Sequence, residues 1–330
     1  MRPFHYEHAA DRAGALRAGG AEGVHYLAGG TTLVDLMKLD VMRPTTLVDI
    51  NALAREHGEI LAEPQRLRLG ALARMSDVAD NPSVRRDYPV IAESLYLAAS
   101  QQLRNMASLG GNVLQRTRCN YFRDVSWSAC NKRNPGSGCQ ALESPNRKLA
   151  VLGVSGQCIA NYPGDFAVAL AALSATVDIE GPGGRRVIPF EDLHRLPGDT
   201  PHIETNLKPG ELITGFSVPA GPWTRRSLYL KIRDRQSYEF AIASAAVALD
   251  LDGGVVREAR IGLGGVAAKP WRSPEAEAQL RGKPLTEDTA RAAADAAFAN
   301  AVTRGELKFK PELGRRTLVR ALLQARTMEV

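Results

Sequence analysis

Apolar and polar positions along this chain change period twice, and the changes divide it into three segments. In residues 1–52, His8-Ala-Ala-Asp-Arg-Ala-Gly-Ala-Leu16 has helical composition and Val24-His-Tyr-Leu-Ala28 reads as a short strand. A tight turn, Gly29-Gly30-Thr31-Thr32, follows. Leu33 to Leu39 then has helical spacing, and Thr46-Leu-Val-Asp-Ile50 returns as a strand, which predicts a βαβ-like unit. In residues 53–221, Leu67 to Ala71 alternates as a strand, and Tyr88 to Leu103 and Phe166 to Leu173 read as helices. Ala175 to Glu180 reads as a strand ending in a Gly181-Pro-Gly-Gly184 turn.

Between those helices, Arg116 to Gln157 carries no periodicity and is rich in Asn, Pro, Gly, Ser and Cys. A stretch of that length inside a compact domain is usually functional or disordered. Residues 222–330 read as a separate α+β unit. Its strands are Ser227–Arg233, Ile242–Asp252 and Arg260–Val266, with a turn at Asp252-Gly253-Gly254 and helices over Glu287–Arg304 and Arg315–Arg326. No internal repeat is present, and the chain as a whole is predicted to be α+β.

Composition narrows the function classes. Of the 330 residues, 44% are hydrophobic and 24% charged, as in a globular protein with a full core. The 42 Lys and Arg exceed the 36 Asp and Glu by six, but they are scattered without a basic run or interleaved aromatics, which argues against nucleic acid. The first residues lack the apolar stretch of a signal peptide and the twin arginines of a Tat signal. No apolar run is long enough to span a bilayer. The expectation is a cytoplasmic protein, or a periplasmic one exported on a partner's signal.

All four cysteines, Cys119, Cys130, Cys139 and Cys158, fall in one stretch, separated by ten, eight and eighteen residues. Three causes compete: two disulfides, a structural zinc, or an iron–sulfur cluster. Zinc sites favour close C-x₂₋₄-C pairs, which are missing here. Gly136-Ser137-Gly138 lets backbone approach a cluster closely, and Arg116, Arg118, Lys132 and Arg133 offset thiolate charge, so the loop favours [4Fe-4S]. Two small-residue turns suit a nucleotide. Leu27 to Asp35 places Gly29, Gly30, Thr31 and Thr32 between strand and helix, where backbone N–H groups can meet a pyrophosphate. Asn105 to Asn112 offers a second close approach, with the Ser108 hydroxyl and Asn112 amide. Asp165, in Pro163-Gly-Asp, is most simply a helix N-cap and alternatively a binder of ribityl or ribose hydroxyls.

These residues carry a resemblance. Ala28-Gly-Gly-Thr and Ala107-Ser-Leu-Gly-Gly-Asn112 resemble the two flavin signatures of FAD subunits in the xanthine dehydrogenase family, Ser108 and Leu109 being mild variations on A-T-I-G-G-N. Gln115 to Phe122 and Cys130 to Cys139 look like the cluster loop of the middle subunit of bacterial periplasmic aldehyde oxidoreductases, and a related loop occurs in 4-hydroxybenzoyl-CoA reductase. Lys231 to Ala241 and Gly264 to Arg272 also resemble that subunit.

The resemblance implies a two-part FAD-binding domain of the vanillyl-alcohol-oxidase/PCMH type, residues 1–52 and 53–221 with a [4Fe-4S] loop at 115–158. A domain of the CO dehydrogenase flavoprotein type, 222–330, would follow. It implies an electron-transfer subunit of a molybdenum-containing aldehyde oxidoreductase, with no aldehyde-oxidising residues of its own. FAD would be held by Leu27, Ala28, Gly29, Gly30, Thr31, Thr32, Leu33, Asp35, Ala107, Ser108, Gly111 and Asn112. Asp165 would meet FAD hydroxyls, and Ile213 and Lys231 would lie near the flavin; on residues alone they read as a strand core residue and a surface charge. Cys119, Cys130, Cys139 and Cys158 would ligate the cluster. Expected partners are a large molybdopterin subunit and a small [2Fe-2S] subunit in a heterotrimer, with an external electron acceptor. The rivals are a related molybdenum hydroxylase, a stand-alone flavin oxidase and a zinc-bound scaffold. The six histidines have no metal spacing and read as surface or capping residues. Trp127 would shield the cluster or meet a partner, and Tyr238 would stack by the flavin or serve as an ordinary strand residue.

Overall fold

A computed structural model describes all 330 residues, Met1–Val330, and builds the chain around three sheets. The first holds β1 (His5–His8), β2 (Val24–Leu27) and β3 (Thr46–Asp49), all parallel in the order β1-β3-β2. Between β2 and β3 the helix Leu33–Lys38 makes the βαβ crossover that the glycine turn predicts. The second sheet is antiparallel: β4 (Ile60–Glu63), β5 (Arg66–Gly70), β6 (Thr176–Gly181), β7 (Gly184–Pro189) and β8 (Leu212–Pro219), in the order β4-β5-β8-β6-β7. The third is also antiparallel: β9 (Ser227–Ile232), β10 (Ala243–Asp252), β11 (Val255–Gly264) and β12 (Trp271–Arg272), in the order β12-β11-β10-β9.

The third sheet is covered on both faces, so Ala243 to Leu249 of β10 is buried without alternation. One face packs on the helix Lys310–Arg326 and the other on the wholly buried helix Phe166–Ala172. Small residues permit that second contact: a Cβ on Gly262 would lie 2.5 Å from the Val168 carbonyl oxygen. Phe166–Ala172 therefore shares one core with β5, β6, β8 and the alanines Ala246 and Ala248 of β10. The cysteine stretch shares another with β10, β11 and the C-terminal helices.

Several elements depart from the sequence reading. His8 ends strand β1, and the helix starts at Arg12, where Asp11 Oδ1 accepts from the Gly14 N–H at 2.7 Å. The helix expected over Tyr88–Leu103 is two, Pro89–Tyr96 and Gln101–Met106, parted at Ala99 with φ +49°. The helix from Glu287 stops at Ala297, the last begins at Lys310, and β11 starts at Val255, directly after the glycine turn. Residues 116–157 hold only two short helical turns, Asn120–Arg123 and Gln140–Leu142, but internal hydrogen bonds order them. No helix is long and apolar enough to cross a membrane.

Candidate functional site: a glycine-walled pocket beside a cysteine loop

One pocket lies where the first sheet meets the second. It is lined by His25 to Leu33, by Ser108, Gly110, Gly111, Leu114 and Arg116, and by Glu211, Leu212 and Ile213 at the start of β8. Met42, Ile50, Ala71 and Leu72 close the remaining wall. The Tyr26 hydroxyl donates to the Gly210 carbonyl at 3.1 Å and so brings β8 to the turn after β2.

The glycines are there because the two turns touch. A Cβ on Gly29 would lie 2.0 Å from the Met106 carbonyl oxygen, and Gly30 has φ +71°, a region costly for L side chains. The second turn is anchored from below, Leu109 N–H donating to Ala73 O at 3.0 Å and Gly110 N–H to Ala71 O at 2.8 Å. A polar strut joins the turns. Asn51 Nδ2 donates to Ala28 O at 3.1 Å, Arg74 Nη2 donates to Asn51 Oδ1 at 3.0 Å, and Arg74 Nη1 donates to Met106 O. None of the backbone N–H groups from Gly29 to Thr32 donates to another group of the protein. A wall of close backbone and unspent N–H donors is what a dinucleotide pyrophosphate requires, so these residues fit FAD.

The expected cofactor residues divide. Leu27, Ala28, Gly29, Gly30, Thr31, Thr32, Leu33, Ser108, Gly111 and Ile213 line the pocket, although Ser108 Oγ is spent on the Gly111 N–H at 3.3 Å as a helix cap. Ala107, Asn112, Asp35, Asp165 and Lys231 do not line it. Ala107 lies against Gly29, and Asn112 Oδ1 is buried without a partner. Asp35 turns to the cysteine stretch and pairs with Arg118 at 3.0 Å and Arg123 at 2.9 Å. Its burial opposes ionisation, but the two guanidinium groups outweigh that and hold its pKa below the usual value.

Asp165 makes no N-cap bond. It is 4% exposed and accepts from Lys231 Nζ and from the Tyr229 hydroxyl, both at 2.7 Å. Lys231 is no surface charge: its side chain is 1% exposed and also donates to Leu97 O at 3.0 Å. Burial, then the Asp165 charge, pushes the Tyr229 hydroxyl well above its ordinary value.

The four cysteines line one small pocket, and all are free thiols. Cys130 and Cys139 face each other across an antiparallel bridge, and Ser137 Oγ accepts from the Cys130 N–H at 3.0 Å. Gly138 N–H is spent on Asn131 Oδ1 at 2.8 Å, so Gly136 and Gly138 serve the turn through their positive φ of +84° and +93°. Among the sulfurs, that of Cys158 accepts from the Ala160 N–H at 3.4 Å, whereas the Phe122 and Leu142 N–H groups donate to the Cys119 and Cys139 carbonyls at 3.1 and 3.2 Å. Burial raises the Cys119 thiol to about 11, whereas the neighbouring Cys158 thiol lowers that of Cys139. No three His, Cys, Asp or Glu side chains are grouped tightly enough to hold a single metal ion. The four thiols nonetheless line one pocket, which is what a multi-iron cluster with one thiolate to each iron would require.

The basic residues credited with offsetting thiolate charge have local partners. Arg116 and Lys132 pair with Glu204, Arg118 pairs with Asp35, and Arg133 donates to the carbonyls of Tyr121, Phe122 and Trp127. Trp127 is exposed and meets Tyr121 edge-on, and Tyr238 is exposed beneath Arg235. His194 departs from the surface expectation. It is buried against Tyr162 and Phe190, and burial lowers its pKa to about 3. His25, Tyr26, Met42, Ile50, Ala71, Leu72, Leu114, Arg116, Glu211 and Leu212 are pocket residues outside the motif assignments; Met42, Ile50, Ala71 and Leu72 stand away from any motif, whereas the others adjoin one.

Comparison with known proteins matches residues 2–221 to the FAD binding domain in molybdopterin dehydrogenase and 228–329 to the CO dehydrogenase flavoprotein C-terminal domain. The chain is 46% identical to the aldehyde oxidoreductase FAD-binding subunit PaoB of Escherichia coli over 99% of both chains. It is 27% identical to the carbon monoxide dehydrogenase medium chain of Hydrogenophaga pseudoflava, over 90% of this chain and 87% of that one. A solved structure of carbon monoxide dehydrogenase from that organism superposes with TM-score 0.76 at 27% identity, covering 98% of each chain.

Proposed function

This chain belongs to the FAD-binding subunits of the molybdopterin dehydrogenases, and from that membership we propose that it is the electron-transfer flavoprotein of a molybdenum-containing aldehyde oxidoreductase. The observation that carries the reading is the pocket in which two glycine turns meet, with the N–H donors of the first, Gly29 to Thr32, unspent. When bound there, FAD would take electrons singly from iron–sulfur centres and give them in pairs to an acceptor. The chain's own residues bind and orient. The Gly29–Thr32 N–H groups would hold the pyrophosphate, Leu27, Leu33 and Ile213 supply apolar contact, and Gly29, Gly30 and Gly111 allow close approach. Asp35, Ala107 and Asn112 would support from behind, and the Asp165–Lys231 pair would set the polarity of the interior beside β9.

In the same reading, Cys119, Cys130, Cys139 and Cys158 hold a [4Fe-4S] cluster, supported by the one small pocket that all four line. Aldehyde oxidation itself would take place on a large molybdopterin subunit, with a small [2Fe-2S] subunit completing a heterotrimer. The external acceptor would meet this chain. The compartment would follow the partners, cytoplasmic or periplasmic.

The test is anaerobic addition of an aldehyde to the purified complex. The flavin's visible absorption should bleach, and a flavin band unchanged while aldehyde is consumed would contradict the proposal. Cys139→Ser should lower the iron content of the purified complex.

A further inference from the structure

Arg116 is the sole lysine or arginine lining the nucleotide pocket, and Lys132 is the sole one lining the cysteine pocket. Both are committed to the same carboxylate. Arg116 Nη2 lies 2.5 Å from Glu204 Oε1, and Lys132 Nζ lies 3.2 Å from Oε2 of the same residue. All three side chains are at most one-quarter exposed, so solvent screens the triad only in part. The Arg116 guanidinium also lies over the Phe122 ring at 4.5 Å, and Phe122 itself lines the cysteine pocket. Two cations on one anion leave a single positive charge in excess between two sites that suit anionic occupants. Neither pocket can lose its cation without altering the partner of the other.

We propose that Arg116, Glu204 and Lys132 form a shared charge bridge through which the nucleotide pocket and the cysteine site are energetically coupled. This rests on the reading that FAD occupies the first pocket. Arg116 and Lys132 are thus positioning residues as well as pocket cations. Linkage makes the coupling reciprocal, so a change on the cysteine side must appear in flavin affinity and the reverse. Lys132 supplies the decisive case, because it has no place on the nucleotide pocket and affects it only through Glu204.

The experiment uses the full chain with its co-purifying partners, in wild-type form and as Lys132→Met, Arg116→Met, the double variant and Lys132→Arg. FAD dissociation constants are read from flavin fluorescence, and the cysteine side from iron content and the rate of maleimide labelling of the four thiols. Lys132→Met should weaken FAD binding by ~5-fold or more and Lys132→Arg should restore it. Arg116→Met should accelerate cysteine labelling, and the double variant should weaken FAD binding by less than the product of the single effects. Variants that each disturb only their own pocket, with multiplicative effects in the double, would overturn the coupling. A wild-type chain that binds no FAD would instead overturn the functional reading, and one that binds FAD without iron still permits the test through labelling. Retained wild-type melting behaviour separates these outcomes from misfolding.

Discussion

Three positions show how much a single residue decides here. At Gly29 the Met106 carbonyl stands where a Cβ would be, and both belong to backbone that side-chain rotation cannot move. Gly29→Ala should therefore cost about 1–3 kcal/mol and remove most bound flavin, read as lower melting temperature and lower FAD content; an unchanged FAD content would show that the turns have slack. The Asp165–Lys231 pair poses the opposite problem, a charge stranded in the interior. Lys231→Met leaves the Asp165 carboxylate buried with only Tyr229 as donor, at a cost of about 3–5 kcal/mol in urea unfolding. A loss below ~1 kcal/mol would mean that water already reaches the pair. His194 gives a pH signature. Its folded pKa of about 3 lies below the unfolded value of ~6.5, so its contribution is complete above ~6.5 and declines as pH falls towards 3. His194→Phe should flatten the drop in melting temperature between neutral pH and pH ~5, whereas equal drops in both proteins would show that other groups dominate.

At the scale of elements, legibility followed range. The unit β2, helix Leu33–Lys38 and β3 was readable because its punctuation, Gly29-Gly30-Thr31-Thr32, is local. The break at Ala99 was legible only in part: Ser100 caps the second helix locally, its Oγ accepting from the Leu103 N–H at 3.4 Å, but the end of the first helix is also held from elsewhere in the chain. The Leu97 carbonyl is claimed by Lys231 and Arg233, and no local pattern in Tyr88–Leu103 records those donors. The grouping of the four thiols was legible in the cysteine stretch, but its charge arrangement was not, since Asp35 and Glu204 lie far away in sequence. If the cluster also fastens this stretch, removing iron with a chelator under oxidising conditions should raise amide hydrogen exchange across residues 115–158 more than in β10. Uniform protection before and after removal would assign the fastening to the protein's own hydrogen bonds.

At the scale of the molecule, three sheets are joined by contacts that no single segment anticipates. The helix Phe166–Ala172 shares a core with the second and third sheets, and that packing carries Asp165 to Tyr229 and Lys231 of β9. Sequence motifs suggested Asp165 and Lys231 as two separate binders; only the assembled fold makes them one pair. The two turns gave the position of the pocket, while Tyr26, Arg116 and Glu211 joined it through tertiary contact. The account as a whole depends on what these two pockets hold. The most direct measurement is the FAD, iron and acid-labile sulfide content of this chain purified with its partners. The account predicts one FAD and ~4 irons per copy of this chain beyond those of a [2Fe-2S] partner. A preparation with intact fold and partners but no flavin would contradict the central claim, and flavin without the additional iron would leave the cysteine loop as a cluster-free structural element.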